Sequence, residues 1–173
     1  MQLGILQNNP NASKVVETIT EAIAKARANN TPVIYVTLIF RPGFPEINLN
    51  NKVFEAYKQR IANVPMDTFA QIHPALAPKE NEIVVHKKRF SAFTGSDLEV
   101  VLRSLGINHL VLTGVSTSGV VLSTLREAAD KDYTLTVLGD ACGDADEEVH
   151  RVLTTKIFPR QASVVSVSEW APQ

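Results

Sequence analysis

Unbroken runs of β-branched and apolar residues alternate along this chain with amphipathic helical stretches, and that alternation limits its fold more than any other feature. Val33-Ile34-Tyr35-Val36-Thr37-Leu38 is one such run. It lacks the in-out alternation of a half-exposed strand, as expected of a strand covered on both faces. Ahead of it, Val15, Val16, Ile19, Ala22, Ile23 and Ala26 recur at helical spacing between Ser13 and Ala28, with Glu17, Glu21, Lys25 and Arg27 on other faces. Asn29-Asn30-Thr31-Pro32 separates the two. Further strands are predicted at Glu82 to His86, His109 to Thr113, Thr134 to Leu138 and Ser163 to Val167. Helices are predicted at Lys52 to Ile61, from a Thr94-Gly95-Ser96-Asp97 capping box to a stop at Gly106, at Ser118 to Ala129, and from Asp144 with Glu147 to about Ile157. Repeated units of this length imply a three-layer α/β/α fold with a doubly wound, mainly parallel sheet. Ile39 to Asn51, with two prolines and a glycine, is read as a long loop, and Val64 to Pro78 as mostly irregular.

Composition narrows the partners. A chain of 173 residues with 45% hydrophobic content supports one core, so residues 1–173 are expected to form a single domain. Its formal net charge of -1 offers no basic surface for nucleic acid, and no apolar run reaches the length of a membrane span. Met1-Gln2-Leu3-Gly4-Ile5-Leu6 has neither the basic flank nor the cleavage site of a secretion signal, and one cysteine, Cys142, fits a reducing compartment. A cytoplasmic protein is expected.

In a doubly wound sheet the ligand crevice lies beyond the carboxyl ends of the strands. Four segments stand there: Arg41 to Glu46, Lys87 to Phe93, Gly114 to Val121, and Gly139 to Cys142. Gly114 and Gly119 have the glycine spacing of a phosphate-binding loop, but Val120 and Val121 stand where lysine and a hydroxyl residue would be required. Nucleotide binding is thereby disfavoured. His73, His86, His109 and His150 show no metal-ligand spacing, and no cofactor is implied.

Two of these segments carry a family resemblance. Lys87-Lys88-Arg89-Phe90-Ser91-Ala92-Phe93, and Gly114-Val115-Ser116-Thr117 leading through Val121 to Thr124, resemble motifs of the isochorismatase-like hydrolases, also called cysteine hydrolases. The resemblance runs from Met1 to about Val167, because Met1-Gln2 is similar to the end of the family's first-strand motif, an aspartate followed by Met-Gln. It implies hydrolysis of a small amide or related metabolite by an aspartate, a lysine and a cysteine. Lys87 matches the lysine, whose ammonium stabilises negative charge near the reacting carbonyl. The cysteine position is taken by Val120, which has no nucleophilic atom, and the aspartate position falls before Met1. Isochorismatases also lack the cysteine but rely on the aspartate, so neither reaction has its full set within these residues.

The family's first strand, central in its sheet, also falls before Met1. The expectation is therefore that the natural protein has several more residues ending in aspartate, and that the sheet of residues 1–173 lacks its first central strand. In the competing reading, Gln2 to Leu6 supplies a shortened strand.

The resemblance places a cis peptide and an oxyanion hole at Val115-Ser116. Arg41, Phe44, Phe90, Ser118 and Gly119 are candidate pocket residues, although the phenylalanines could equally be core and Arg41 could be solvated. Lys88 and Arg89 are read as solvated cations. Ser116, Thr117, Ser118 and Ser123 have no assignable base and are read as caps. Cys142, on the ligand side, is read as a small buried residue rather than a reactive thiol. Self-association is implied by the resemblance, and a catalytically inactive relative that binds a small molecule or serves in assembly is the alternative function.

Overall fold

In the computed structural model, which describes every residue except Asn8 and Gln173, helices α1 (Leu3–Leu6) and α2 (Ala12–Ala28) lead into strand β1 (Ile34–Leu38). Helices α3 (Lys52–Ile61) and α4 (Met66–Ala70) follow, then β2 (Ile83–Lys87), α5 (Leu98–Ser104) and β3 (His109–Val115). A π-helical turn, Thr117–Val121, opens α6 (Leu122–Asp130), and β4 (Thr134–Gly143), α7 (Glu147–Val152) and β5 (Ser163–Val165) complete the order. Every strand pairing is parallel.

The apolar stripe of α2 explains its position. Val15, Val16, Ile19, Ala22 and Ala26 pack with Val115, Leu138, Ala141 and Trp170 on one face of the sheet. The opposite face is covered by Leu98 and Leu102 of α5 and by Leu125 and Ala128 of α6, packed with Val85 and Val137. Full burial of one such large aliphatic side chain contributes about 1.5–3 kcal/mol, so these two layers hold most of the stability. A third cluster, with Phe40, Phe54, Ile61 and Phe69, lies under α3 and α4.

The sheet is in two pieces, β1-β2 and β3-β4-β5. Between them lies a cavity of about 830 Å³ lined by every residue of β1 and of β3. The sheet is thus interrupted between β1 and β3. Although their sequences read as fully covered strands, β1 and the first five residues of β3 are mostly half-buried, whereas β4 is buried along most of its length. The shortened-strand reading of Gln2 to Leu6 does not hold. Leu3–Leu6 is helical, which brings Gly4 so close to the Phe69 ring that a Cβ there would sit 2.2 Å from it. Gln2 makes only an isolated antiparallel bridge to Ile72.

Other local differences have physical causes. The capping box at Thr94 does not form: α5 begins at Leu98, whose N–H donates to the Ser96 hydroxyl, while the Thr94 hydroxyl donates to Glu127. The cap of α7 is Asp146 rather than Asp144, and it accepts from the amides of Glu148 and Val149. Met66–Ala70 and a 3-10 turn at Pro74–Leu76 organise the stretch read as irregular. Strand β4 runs to Gly143 because its register with β3 jumps from Leu112↔Val137 to Gly114↔Cys142, so two steps on β3 span five on β4. Among the described residues, no helix is long and apolar enough to cross a membrane.

Candidate active site

Lys87 ends β2, where it is the last partner of β1, opposite Leu38. Its side chain turns inward and is 7% exposed. The ammonium Nζ donates to the carbonyl oxygens of Arg89 and Phe90 at 2.6 and 2.7 Å. Two neutral carbonyls compensate incompletely for lost water, and burial pulls its pKa down to about 8. The Met1 amino group is buried within electrostatic reach, and its pKa is lowered to about 6 by burial and by Lys87.

The residues after Lys87 fix that geometry. Ser91 is buried and accepts from the Phe93 N–H at 3.2 Å, the Ala92 N–H donates to the Thr124 hydroxyl of α6 at 2.9 Å, and Phe93 enters the core. The Ser-Ala-Phe motif thus fastens the Lys87 segment to the helix that follows β3. Lys88 and Arg89 are not the solvated cations expected. Lys88 Nζ donates to Ile39 O at 2.6 Å, and Arg89 donates to Glu46 O at 2.8 Å while lying 5.3 Å over the Phe54 ring. Both tie down the loop that follows β1.

Across the cavity, β3 ends in Gly114 at φ +119 and Val115, and the Val115-Ser116 peptide bond is cis. Gly119 is required by close approach, since a Cβ there would lie 2.6 Å from Ser116 Oγ. Val120 faces the cavity that Lys87, Phe90, Ser116 and Thr124 also line. The valine and the ammonium therefore share one crevice.

Not every candidate meets there. Arg41 is 71% exposed at its side chain and is paired to Glu46 at 2.7 Å, away from the cavity wall. Phe44 adopts φ +57 and packs edge-on against Phe40 at 6.1 Å instead of lining the crevice. Ser118 and Gly119 also lie outside the lining, and the Ser118 amide is bound to Asp144 at 2.7 Å. Cys142 is buried with its thiol pushed up to about 12, chiefly by burial, which leaves it unreactive. The hydroxyls of this turn do have polar partners from α7 and its approach, for Thr117 Oγ1 meets His150 Nδ1 at 2.8 Å. Because Thr117 is fully buried, that pair fixes the turn and presents nothing to a ligand.

Two wall residues escaped the sequence reading. Phe54 and Tyr57 of α3 line the cavity, with the Phe54 ring 5.0 Å from Phe90. Their three-residue spacing on an amphipathic helix was the available signal. The site therefore offers one buried cation, aromatic and aliphatic walls, and the amino end of the helical run from Thr117, whose dipole favours negative charge. It offers no nucleophilic side chain at Val120.

Comparison with known proteins adds independent evidence. The isochorismatase domain model matches residues 1–169. An uncharacterised isochorismatase family protein, YecD of Escherichia coli O157:H7, is 34% identical over 163 residues, covering 91% of this chain and 82% of its own. N-carbamoylsarcosine amidase of an Arthrobacter species is 30% identical over 136 residues, or 78% of this chain and 52% of that enzyme. Ureidoacrylate amidohydrolase RutB of Pseudomonas syringae pv. syringae is 34% identical over 167 residues, 88% of this chain and 64% of its own. The chain thus spans between half and two thirds of these two enzymes. Among solved structures, an isochorismatase family protein from Burkholderia thailandensis superposes with a TM-score of 0.76 at 30% identity, covering 91% of this chain and 80% of that one.

Proposed function

The chain belongs to the isochorismatase family, and on that premise we propose that residues 1–173 act as one domain on a small amide or related metabolite held against Lys87. The observation that carries this reading is the buried Lys87 ammonium, which shares its crevice with the turn at Val115-Ser116 and with Val120. As a carbonyl is attacked, negative charge grows on its oxygen. Lys87 and the amino end of the Thr117 helical run answer that charge. Phe54, Tyr57 and Phe90 provide the apolar contact surface.

Val120 closes the covalent route, so the nucleophile is water. Its oxygen bonds to the carbonyl carbon, the C–N bond breaks, and the proton that the water gives up leaves on the amine beside the new carboxylate. The relatives that act on N-carbamoylsarcosine and on ureidoacrylate support the amide class. In the same reading the protein is cytoplasmic and self-associates, takes no cofactor, and has no nucleic-acid or membrane partner. The replacement of cysteine by Val120 supports a second reading, a relative that binds the small molecule without turning it over.

Both are tested by assaying the 173-residue chain, and a chain extended in frame by a segment ending in aspartate, against N-carbamoylsarcosine, ureidoacrylate and a vinyl ether. Hydrolysis that falls about 10²–10⁴-fold when the aspartate becomes asparagine, and falls again in Lys87→Met, supports the enzyme. Calorimetric binding without turnover in either chain, lost in Lys87→Met, supports the binding protein.

A further inference from the structure

Two charged side chains are buried among the described residues, Lys87 at 7% exposure and Asp144 at 8%. They do not neutralise one another, for no salt bridge among those residues includes either. Lys87 Nζ donates to the carbonyls of Arg89 and Phe90, whereas Asp144 accepts from backbone amides, Oδ2 from Ser118 N at 2.7 Å and Oδ1 from Asp146 N at 3.4 Å. A buried charge without a counter-charge is costly, and here two of opposite sign are kept near one turn.

The topology sets them on opposite sides of that turn. Lys87 ends β2 and lines the cavity, a slot between β1 and β3, in front of it. Asp144 follows Gly143, the last residue of β4 and the register partner of Val115, so it stands beside the residues after the Val115-Ser116 bond. It is not among the lining residues and reaches the turn from behind, through the Ser118 amide. The approach is close enough to need glycine at 143, where a Cβ would lie 2.9 Å from Val15 Cγ2 and 3.4 Å from Val115 Cγ1. Thr117 is held from the same segment by His150 Nδ1, while Ser116 and Val120 face the cavity. The neighbouring carboxylates are exposed and act elsewhere: Asp146 caps α7, Glu147 accepts from Asn11, and Glu148 pairs with Arg151. The Asp144 carboxylate therefore takes one free N–H at the amino end of the helical run from Thr117 and offsets the positive pole of its dipole.

We propose that Asp144 is a positioning residue that, with Lys87, polarises the crevice, so that the ligand is an uncharged amide lying with its carbonyl oxygen towards Lys87 and its N–H groups towards the turn at Val120. A neutral dipole gains at both ends of this axis, whereas a full negative charge beside the turn meets the field of a carboxylate. The inference rests on the reading of the crevice as an amide site and adds the ligand's charge and direction.

The test reads the field at position 120 with two probes of similar size and different charge. Val120→Cys is alkylated with neutral iodoacetamide and with anionic iodoacetate, and the ratio of the two rates is followed by mass spectrometry. Changes in thiolate fraction or in access act on both rates and cancel in the ratio. Asp144→Asn keeps an acceptor for the Ser118 amide and removes the charge, and it is expected to raise the iodoacetate-to-iodoacetamide ratio by about threefold or more. Asp130→Asn, at the exposed far end of α6, removes the same charge and is expected to leave the ratio unchanged. An unmoved ratio in Asp144→Asn overturns the proposal, and so does an equal rise in Asp130→Asn, which would report net charge alone. Asp144→Ser supplies a second neutral acceptor. Loss of the cooperative melt in both Asp144 variants assigns the residue to folding and overturns the proposal too. Lys87→Met is expected to lower the ratio by about threefold or more. If it does not, the amide-site reading falls and the proposal with it, whereas a flat response to Asp144→Asn alone overturns the proposal and leaves that reading standing.

Discussion

The two pieces of the sheet differ in what they bury. The three-stranded piece is closed around β4, where Val137, Leu138 and Leu125 of α6 are essentially inaccessible, although its β3 edge borders the cavity, and its rim carries Val120, which has nothing to donate or accept. The two-stranded piece is open along β1 and carries at its rim Lys87, the one buried basic side chain among the described residues, under an aromatic wall. Stability is concentrated in one piece and reactive charge in the other. Burying a charge without a counter-charge costs free energy, and packing aliphatic groups gains it.

Mutations should separate the two. Leu125→Ala, in the closed piece, is expected to cost about 2–5 kcal/mol in urea denaturation, whereas Val36→Ala, facing the slot, costs less than half as much. Equal losses would mean that the slot is packed as tightly as the core. Lys87→Met is expected to raise stability by about 1–2 kcal/mol at pH 7 while abolishing ligand binding, since a depressed lysine pKa is a cost to the folded state. The sign follows from the window between about 8 in the folded protein and the ordinary 10.5. Below pH 8 the folded state bears the full cost. Between 8 and 10.5 the unfolded state holds more protons, so stability rises with pH, and above 10.5 the gain is complete. A stability profile that falls across this window would show that Lys87 has a counter-charge.

Val120→Cys places a thiol on the closed rim facing Lys87. Iodoacetamide at pH 7 is expected to alkylate it at least tenfold faster than Cys142, as read by mass spectrometry, because the ammonium favours thiolate and burial suppresses it at Cys142. Comparable rates would remove Val120 from the crevice. The smallest effect belongs to Arg41→Ala, whose exposed pair with Glu46 is worth no more than about 0.5 kcal/mol and whose loss leaves ligand affinity unchanged.

Much of the site was legible in the chain itself. The run from Lys87 to Phe93 and the turn from Gly114 to Val121 were found because strand ends and their loops are local, and local signals survive in sequence. Phe54 and Tyr57 were missed because α3 reaches the cavity only after the loop from Ile39 to Asn51 folds back, held by Lys88 and Arg89. Arg41 and Phe44, open in sequence between pocket and solvated or core positions, lie off the cavity because the same loop's course depends on tertiary anchors.

Residue order alone determined the parallel α/β fold and the presence of valine at position 120, since periodicity and residue type are properties of the chain, while an inward Lys87 was implied only by the family resemblance. Tertiary structure decided that the sheet opens between β1 and β3 and that Gln2 caps the edge with its side chain. It also decided that Lys87 is desolvated against two carbonyls. Those outcomes depend on which distant backbone groups find partners and which charges lose water, and neither is set until the layers close.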